Sequence, residues 1–149
     1  LQPLQVGEER QLIRRAVAVR VAAQVGVFAL VPGFQPEGAA RAFRLFFAFL
    51  HLYEPHAPYE PPEPFRSRYA DPYDGEVATA DAIVGRFLSF LRRKGLYDGA
   101  LVVFLSDHGE ALGEHGETTH AYFAYNATIW IPLIVLVPGR PAGRAGCRR

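Results

Sequence analysis

The chain has 149 residues, of which 50% are hydrophobic and 13% aromatic, so it is long enough and apolar enough to bury the core of one globular domain. Its 16 Lys and Arg residues are balanced by 15 Asp and Glu residues, and the formal charge of +1 provides no field that would hold a polyanion. We therefore expect no nucleic-acid partner.

The sequence leaves the cellular compartment open, because the single cysteine, Cys147, has no second cysteine to pair with. The most apolar N-terminal stretch, residues 16–31, is interrupted by Arg20 and Gln24 and is too broken for the roughly 20 apolar residues of a transmembrane helix. It also lacks the residue order of a signal peptide. We expect no membrane segment in this chain, and because the first residue is Leu1 rather than Met we expect a fragment of a longer protein.

The first half of the chain predicts a strand followed by a proline-rich loop. Residues 1–44 carry no sustained apolar period, although a helix near residues 8–24 is one interpretation. Residues 45–50 are a continuous apolar run and predict a buried strand. Residues 53–64 contain five prolines, which remove backbone donors that a helix or a central strand needs, so we expect an extended loop. Loops carry functional residues often, and this one contains His56.

A helix is predicted after the loop, because apolar residues of segment 77–91 recur at helical spacing. We expect Asp74 to cap its N terminus and Gly95 to end it. The apolar positions are Val77, Ala80, Val84, Phe87, Leu88 and Leu91.

Two further strands are predicted after this helix. Residues 101–105 are apolar without alternation, which is typical of a strand buried on both faces of a parallel sheet. Residues 131–137 predict a third buried strand that begins near Pro132. Strand, loop, helix and strand in this order form a βαβ unit with a right-handed crossover. The sequence therefore predicts an α/β fold with a mostly parallel sheet flanked by helices, followed by a disordered tail over residues 140–149.

Asp107 and His108 follow the strand at residues 101–105, at the end where open α/β sheets bind ligands. A carboxylate oxygen and a neutral imidazole nitrogen suit Mn, Zn or Fe, and Ca or Mg when oxygens dominate. Neighbouring side chains on a strand point to opposite faces, so these two share an ion only if the chain turns. We expect Gly109 to supply the backbone freedom for that turn.

All histidines lie between residues 51 and 120, each in or beside a segment expected to leave the carboxyl end of a strand, and we expect them to converge. A buried core role is the favoured alternative for His51, and an exposed loop position for His115. Glu110 and Glu114 are interpreted either as acids that orient histidines or, by default, as solvated loop charges. A turn or cap is the structural alternative for Asp107. The histidines are His51, His56, His108, His115 and His120.

Three segments resemble the sulfatase branch of the alkaline phosphatase superfamily: HLYEPHAPY at residues 51–59, YDGEV at residues 73–77 and SDHGEALGEHG at residues 106–116. Their order and spacing match that family. The resemblance implies that residues 45–139 are a partial sulfatase-like catalytic domain, a fragment of an alkaline-phosphatase-like core. Residues 1–44 are a poorly matched N-terminal segment.

The resemblance implies roles for four residues. The metal ligands fall on Asp107 and His108, with Ca²⁺ expected first and Mn²⁺ or Zn²⁺ as alternatives. His56 corresponds to a histidine that reaches the sulfate or phosphate group. His120 corresponds to a later basic residue that contacts the transferred group and is commonly lysine in sulfatases, although Ala121 stands where close relatives tend to have glycine.

The resemblance also shows what this sequence lacks. Sulfatases attack with a nucleophile derived from cysteine or serine in a Cys/Ser-x-Pro-x-Arg motif, and an earlier pair of acids completes their metal site. Neither feature occurs here, and Cys147, followed by Arg148 and Arg149, does not fit the motif.

We expect the intact parent protein to catalyse metal-dependent hydrolysis of a sulfate ester of a small molecule or glycan, and this chain alone to have negligible turnover. One alternative is a phosphodiesterase or phosphoethanolamine-type transferase of the same superfamily, acting on a phosphate ester. Another is a non-catalytic remnant that keeps only the core of the fold.

Overall fold

The computed structural model describes residues 22–32 and 45–140 except Ala121, with side chains described from Phe47 onward. The expected helix near residues 8–24 lies mostly outside the described residues, and its last three positions belong to a strand. The expected disordered tail also lies outside them from residue 141 onward.

Strands and helices follow one another along the described chain. The strand at residues 45–50 is confirmed, the extended loop after it is confirmed, and the strand at residues 101–105 is confirmed. The last strand is shorter than expected, because it begins only after Pro132 and ends at Leu136. Both it and the strand at residues 45–50 were expected to be buried, which is wrong for alternate side chains such as Leu133 and Phe47. In chain order the elements are β1 (Ala22–Pro32), β2 (Leu45–Leu52), α1 (Phe65–Arg68), α2 (Pro72–Arg93), β3 (Leu101–His108), a 3₁₀ helix (Glu114–Gly116), α3 (Asn126–Ile129) and β4 (Leu133–Leu136).

The sheet has the strand order β2-β1-β3-β4, and all neighbouring pairs are antiparallel. The expected combination of helices and a sheet is confirmed, but a mostly parallel sheet is not observed among the described strands. The reason is β1, which was not predicted from the sequence. It lies between β2 and β3 and pairs with both. Its Val27 pairs with Leu50 on one side and with Phe104 on the other. β2 and β3 therefore run in the same direction without touching.

The N-cap of helix α2 lies three residues before Asp74, so the expected cap was wrong. Asp71 is the N-cap, and its side chain accepts the backbone N–H of Tyr73 at 2.9 Å. Pro72 occupies the first turn, where a missing N–H costs nothing. Asp74 instead lies in the first turn, near the positive end of the helix dipole. Gly95, with φ +66°, follows the helix end as expected.

The core lies between α2 and one face of the sheet. Val84 and Leu91 of α2 are almost fully buried, and they belong to one cluster with Val102 and Phe104 of β3. Burying one such side chain contributes about 1.5–3 kcal/mol. This packing fixes the end of β3, and with it Asp107 and His108, relative to α2.

The opposite face of the sheet is apolar and open among the described residues. Phe49 lies in the same row as Val103 and Val135, because the register aligns all three with residue 28 of β1 or with each other. Phe49 is 53% exposed and Val135 48% exposed. The expectation that β3 is buried on both faces therefore holds only for the face against α2. No helix within residues 22–32 and 45–140 combines the length and apolarity needed to cross a membrane.

Candidate active site at the end of strand β3

Asp107 and His108 converge although both belong to β3. The Oδ1 atom of Asp107 accepts the backbone N–H of His108 at 3.0 Å and lies 3.8 Å from Nε2 of the His108 ring. Both side chains reach solvent, with 42% of Asp107 and 29% of His108 exposed. Two neighbouring strand residues therefore present a carboxylate oxygen and an imidazole nitrogen to the same space.

Gly109 is required for close approach rather than for an unusual backbone angle. Its N–H donates to the carbonyl oxygen of Thr128 at 2.8 Å. A Cβ atom at this position would overlap the carbonyl oxygen of Ala127 and lie 3.0 Å from that of Trp130. Gly109 is not among the described residues with positive φ. The expectation that Gly109 supplies backbone freedom for a turn is therefore wrong. The position needs glycine for a steric reason, because only glycine lets the segment around α3 pack against the end of β3.

The His108 ring is oriented by the backbone. Its Nδ1 atom lies 2.8 Å from the carbonyl oxygen of Gly109. Because a carbonyl oxygen only accepts, Nδ1 carries the proton and Nε2 keeps its lone pair in neutral His108. A backbone carbonyl behind one ring nitrogen is typical of histidines that bind metals through the other.

The proline-rich loop is attached to α2 by a buried carboxylate. Glu76 is 4% exposed and accepts the backbone N–H of His56 at 2.9 Å and that of Glu60 at 2.7 Å. The loop also approaches the helix closely at Gly75, where a Cβ atom would lie 2.7 Å from Cγ of Pro61. Glu76 thus fixes the main chain on which His56 stands.

His56 uses the same ring nitrogen as His108 for its contacts with the protein. Its Nδ1 atom lies 2.6 Å from the carbonyl oxygen of Ala57 and 2.9 Å from the hydroxyl of Tyr53. The Tyr53 ring stacks on the imidazole at a centroid distance of 4.3 Å. The carbonyl again places the proton on Nδ1, which leaves Nε2 of His56 for another partner.

Three of the histidines meet, and two do not. The rings of His108 and His120 are 4.1 Å apart, and those of His56 and His120 are 5.6 Å apart. The expectation that all five converge is wrong for His51, which stacks on Phe49 of the sheet, and for His115, which stacks on Tyr125. His51 is exposed rather than buried, so the favoured core role is also wrong. His115 is exposed in its loop, as its alternative predicted.

Glu110 is fully buried, so the default interpretation as a solvated loop charge was wrong. Its Oε2 atom accepts the hydroxyl of Tyr59 at 2.9 Å, and its Oε1 atom lies 3.1 Å from Nδ1 of His120. Burial, and then the hydrogen bond to Glu110, raise the pKa of Tyr59 well above its usual range, so the hydroxyl stays protonated. Glu114 instead accepts the backbone N–H of Leu112.

The described residues hold no group of three or more His, Cys, Asp or Glu side chains that could bind a metal ion. Asp107 and His108 nevertheless fit two positions of such a site. Donor atoms bind zinc or calcium at about 2.0–2.6 Å, so two donors of one ion lie at most about 4–5 Å apart. The 3.8 Å between Oδ1 of Asp107 and Nε2 of His108 meets that requirement.

Comparison with known proteins shows the family of this chain. The family model described as Sulfatase matches residues 37–145, which is most of the chain. The chain belongs to the sulfatase family. The members of this family are sulfuric ester hydrolases, so the resemblance found in the three sequence segments is confirmed. No solved structure matches the chain.

Curated relatives match only part of their own length. The iduronate 2-sulfatase of Homo sapiens is 42% identical over 86 residues, covering 57% of this chain and 16% of the relative. The choline-sulfatase of Rhizobium meliloti is 35% identical over 78 residues, covering 52% of this chain and 15% of the relative. The multifunctional alkaline phosphatase superfamily protein PehA of Trinickia caryophylli is 36% identical over 69 residues, covering 46% of this chain and 13% of the relative. The matched part of the chain spans about 16% or less of these relatives.

Proposed function

We propose that this chain forms part of the active site of a metal-dependent sulfate ester hydrolase. Asp107 and His108 bind a divalent ion, and His56 and His120 contact the sulfate group. The observation that carries the proposal is the convergence of three imidazoles beside Asp107 at the end of β3. His56 and His120 are 64 residues apart in the sequence, so only the fold brings them together.

The two proposed ligands are prepared for an ion by the protein around them. His108 donates through Nδ1 to the carbonyl of Gly109, so Nε2 faces the Asp107 carboxylate with its lone pair available. When bound, a divalent ion polarises a non-bridging oxygen of the ester and lowers the pKa of an attacking group. The resemblance to sulfatases makes calcium the expected ion, with manganese or zinc as alternatives.

His56 and His120 supply the second part of the chemistry. In its imidazolium form, such a ring carries a second proton on Nε2 and neutralises charge that develops on the transferred group, or gives that proton to the leaving oxygen and returns to the neutral Nδ1–H form. Both rings bond to the protein through Nδ1, to the carbonyl of Ala57 and to Glu110, so both have Nε2 free of these bonds. The substrate we propose is a sulfate ester of a small molecule or glycan.

This chain alone should have negligible turnover. The sequence contains no Cys/Ser-x-Pro-x-Arg motif, and the described residues offer two metal ligands rather than a full set. Without a nucleophile no covalent intermediate forms. The activity therefore belongs to a catalytic domain that contains more residues than these.

A phosphate ester is the second candidate substrate. His120 stands where sulfatases commonly carry lysine and related members of the superfamily carry histidine. The match to a protein named as a multifunctional member of the alkaline phosphatase superfamily points in the same direction. A phosphodiesterase or a phosphoethanolamine-type transferase would use the same four residues.

Calorimetric titration of the chain with Ca²⁺ and with Mn²⁺ tests the proposal. We expect one ion per chain with a Kd of about 10⁻⁴ to 10⁻³ M, the weak end of protein calcium sites. Asp107→Asn and His108→Ala should each abolish stoichiometric uptake, and Asp98→Asn, at an exposed acid in the turn after α2, should not. Absence of saturable uptake, or uptake that Asp107→Asn leaves unchanged, would instead identify a non-catalytic remnant.

An aryl sulfate assay on the same purified chain tests the proposed inactivity. We expect a rate equal to that of a protein-free blank at every ion concentration. A rate above the blank that disappears in Asp107→Asn would show that this chain contains a nucleophile of its own.

A further inference from the structure

The buried carboxylate of Glu110 specifies which nitrogen of His120 carries the proton. Its Oε1 atom lies 3.1 Å from Nδ1 of His120, and Glu110 is 0% exposed. A carboxylate oxygen accepts hydrogen bonds, so the ring nitrogen bonded to it carries the proton. In neutral His120 the lone pair therefore lies on Nε2.

Tyr59 keeps the carboxylate of Glu110 in place. Its hydroxyl donates to Oε2 at 2.9 Å, across a separation of 51 residues along the chain. Because this hydroxyl stays protonated, Oε2 is occupied and Oε1 remains the oxygen that faces His120. Tyr59 also contacts Tyr73 of α2 edge to face at 5.5 Å, so the hydroxyl is fixed relative to the core.

We propose that Glu110 is a positioning residue that holds His120 as the Nδ1–H tautomer and directs Nε2 to the group transferred at the site. The use of Nε2 in catalysis rests on the proposed function. The tautomer itself rests on the contact of Glu110 with Nδ1, which is shorter than the 3.4 Å contact of the Thr119 hydroxyl with the same nitrogen.

His120 differs from the other two histidines in the acceptor behind its ring. His56 and His108 face the carbonyl oxygens of Ala57 and Gly109, each from the adjacent residue. His120 faces a carboxylate oxygen from ten residues away. A carboxylate is a better hydrogen-bond acceptor than a peptide carbonyl, so the preference of His120 for one tautomer should be the strongest of the three.

Long-range proton–nitrogen correlation spectra of the full chain, labelled with ¹⁵N in histidine, test this proposal at a pH where His120 is neutral. The two ring nitrogens of a neutral imidazole have widely separated shifts, so the spectrum reports the tautomer directly. We expect at least about a 10-fold excess of the Nδ1–H form for His120 in the unmodified chain. An excess of the Nε2–H form would overturn the proposal without any variant.

Two substitutions then identify Glu110 as the cause. Glu110→Gln should lose most of the preference, because the amide oxygen can accept from the Tyr59 hydroxyl while the NH₂ group, which only donates, faces Nδ1 and favours the Nε2–H form. Tyr59→Phe should keep the Nδ1–H form, since Oε1 remains an acceptor. Glu63→Gln, at an exposed acid bonded to Ser67, is the matched control and should leave the spectrum unchanged. A Glu110→Gln spectrum with the original preference would refute the role of Glu110.

The result is independent of metal binding and of hydrolysis. If no ion binds while His120 is held as the Nδ1–H form, the proposed function fails and the positioning role stands. If an ion binds through Asp107 and His108 while His120 prefers Nε2–H, the reverse holds.

Discussion

Asp107 and Glu110 lie three residues apart at the end of β3, and their carboxylates have opposite surroundings. Asp107 is 42% exposed, and its Oδ1 contacts the neighbouring His108. Glu110 is completely buried, with one oxygen on Tyr59 and the other on His120. Among the described residues, no distant side chain hydrogen-bonds to Asp107.

This difference separates the structural acid from the acid available to a ligand. A buried carboxylate with both oxygens bonded stabilises the fold, because removing it leaves its partners without an acceptor. An exposed carboxylate that bonds only to the next residue contributes little to stability and leaves its oxygens accessible to an ion. Changes at Glu110 should therefore alter the free energy of unfolding, and changes at Asp107 should alter binding.

The largest expected effect on stability comes from Glu110→Ala. The change leaves the Tyr59 hydroxyl and His120 Nδ1 without their acceptor, so we expect the free energy of unfolding to fall by about 3 kcal/mol. Urea denaturation followed by far-UV circular dichroism measures it. Asp98→Ala, at an exposed acid, is the control and should stay within about 0.5 kcal/mol. Equal stability of the two variants would remove the distinction between Glu110 and Asp107.

Gly109→Ala tests the packing of the segment around α3 against Gly109, which lies between the two acids in sequence. The added Cβ would overlap the carbonyl oxygen of Ala127 and strain the hydrogen bond from Gly109 to Thr128. We expect a loss of about 2 kcal/mol in the free energy of unfolding, since overpacking against backbone relaxes poorly. Gly113→Ala is not a suitable control because its φ is +113°. Ala127→Gly is the control, because it keeps the carbonyl oxygen and adds no atom. It should lower the free energy of unfolding by only about 1 kcal/mol, the usual cost of glycine in a helix.

Tyr59→Phe removes one hydrogen bond from Glu110 and leaves the ring contact with Tyr73. We expect a smaller loss of about 1.5 kcal/mol, because one hydrogen bond to a buried carboxylate is removed. The same urea titration measures it. In the double variant, Tyr59→Phe should add almost no further loss of stability to that of Glu110→Ala, since both changes remove the same hydrogen bond. Full additivity of the two losses would show that Tyr59 and Glu110 do not act together.

The smallest expected effect on stability comes from Asp107→Asn. The amide keeps the size of the side chain and an oxygen for the N–H of His108, so stability should change by less than about 0.5 kcal/mol. Uptake of the ion should be lost in the same sample. A destabilisation as large as that of Glu110→Ala would make Asp107 a structural acid like its neighbour.

Local sequence patterns predicted the elements better than the sheet. The apolar runs at β2 and β3 and the helical period of α2 were sufficient to place these elements within a few residues. The strand order was not predictable, because β1 carries no alternation and its insertion between β2 and β3 is a long-range choice. The proline loop was predictable, since no regular element tolerates its composition.

The candidate site was predictable where residue type and strand ends coincide, and not where the contact is distant. Asp107, His108 and His56 could be proposed from the strand end and the loop. Glu76 and Tyr59 were not singled out, although both lie in segments that carry the family resemblance. Their contacts join residues 16 to 51 positions apart, and no local pattern reports such pairs.

The convergence of His56, His108 and His120 beside an ion bound by Asp107 and His108 is the central claim, and paramagnetic broadening by Mn²⁺ tests it most directly. In a ¹⁵N-histidine sample with substoichiometric Mn²⁺, the imidazole signals of these three residues should broaden first, and those of His51 and His115 should persist. Asp107→Asn should abolish the selective pattern. Uniform broadening of all five histidines, or earlier loss of His51 or His115, would contradict the account.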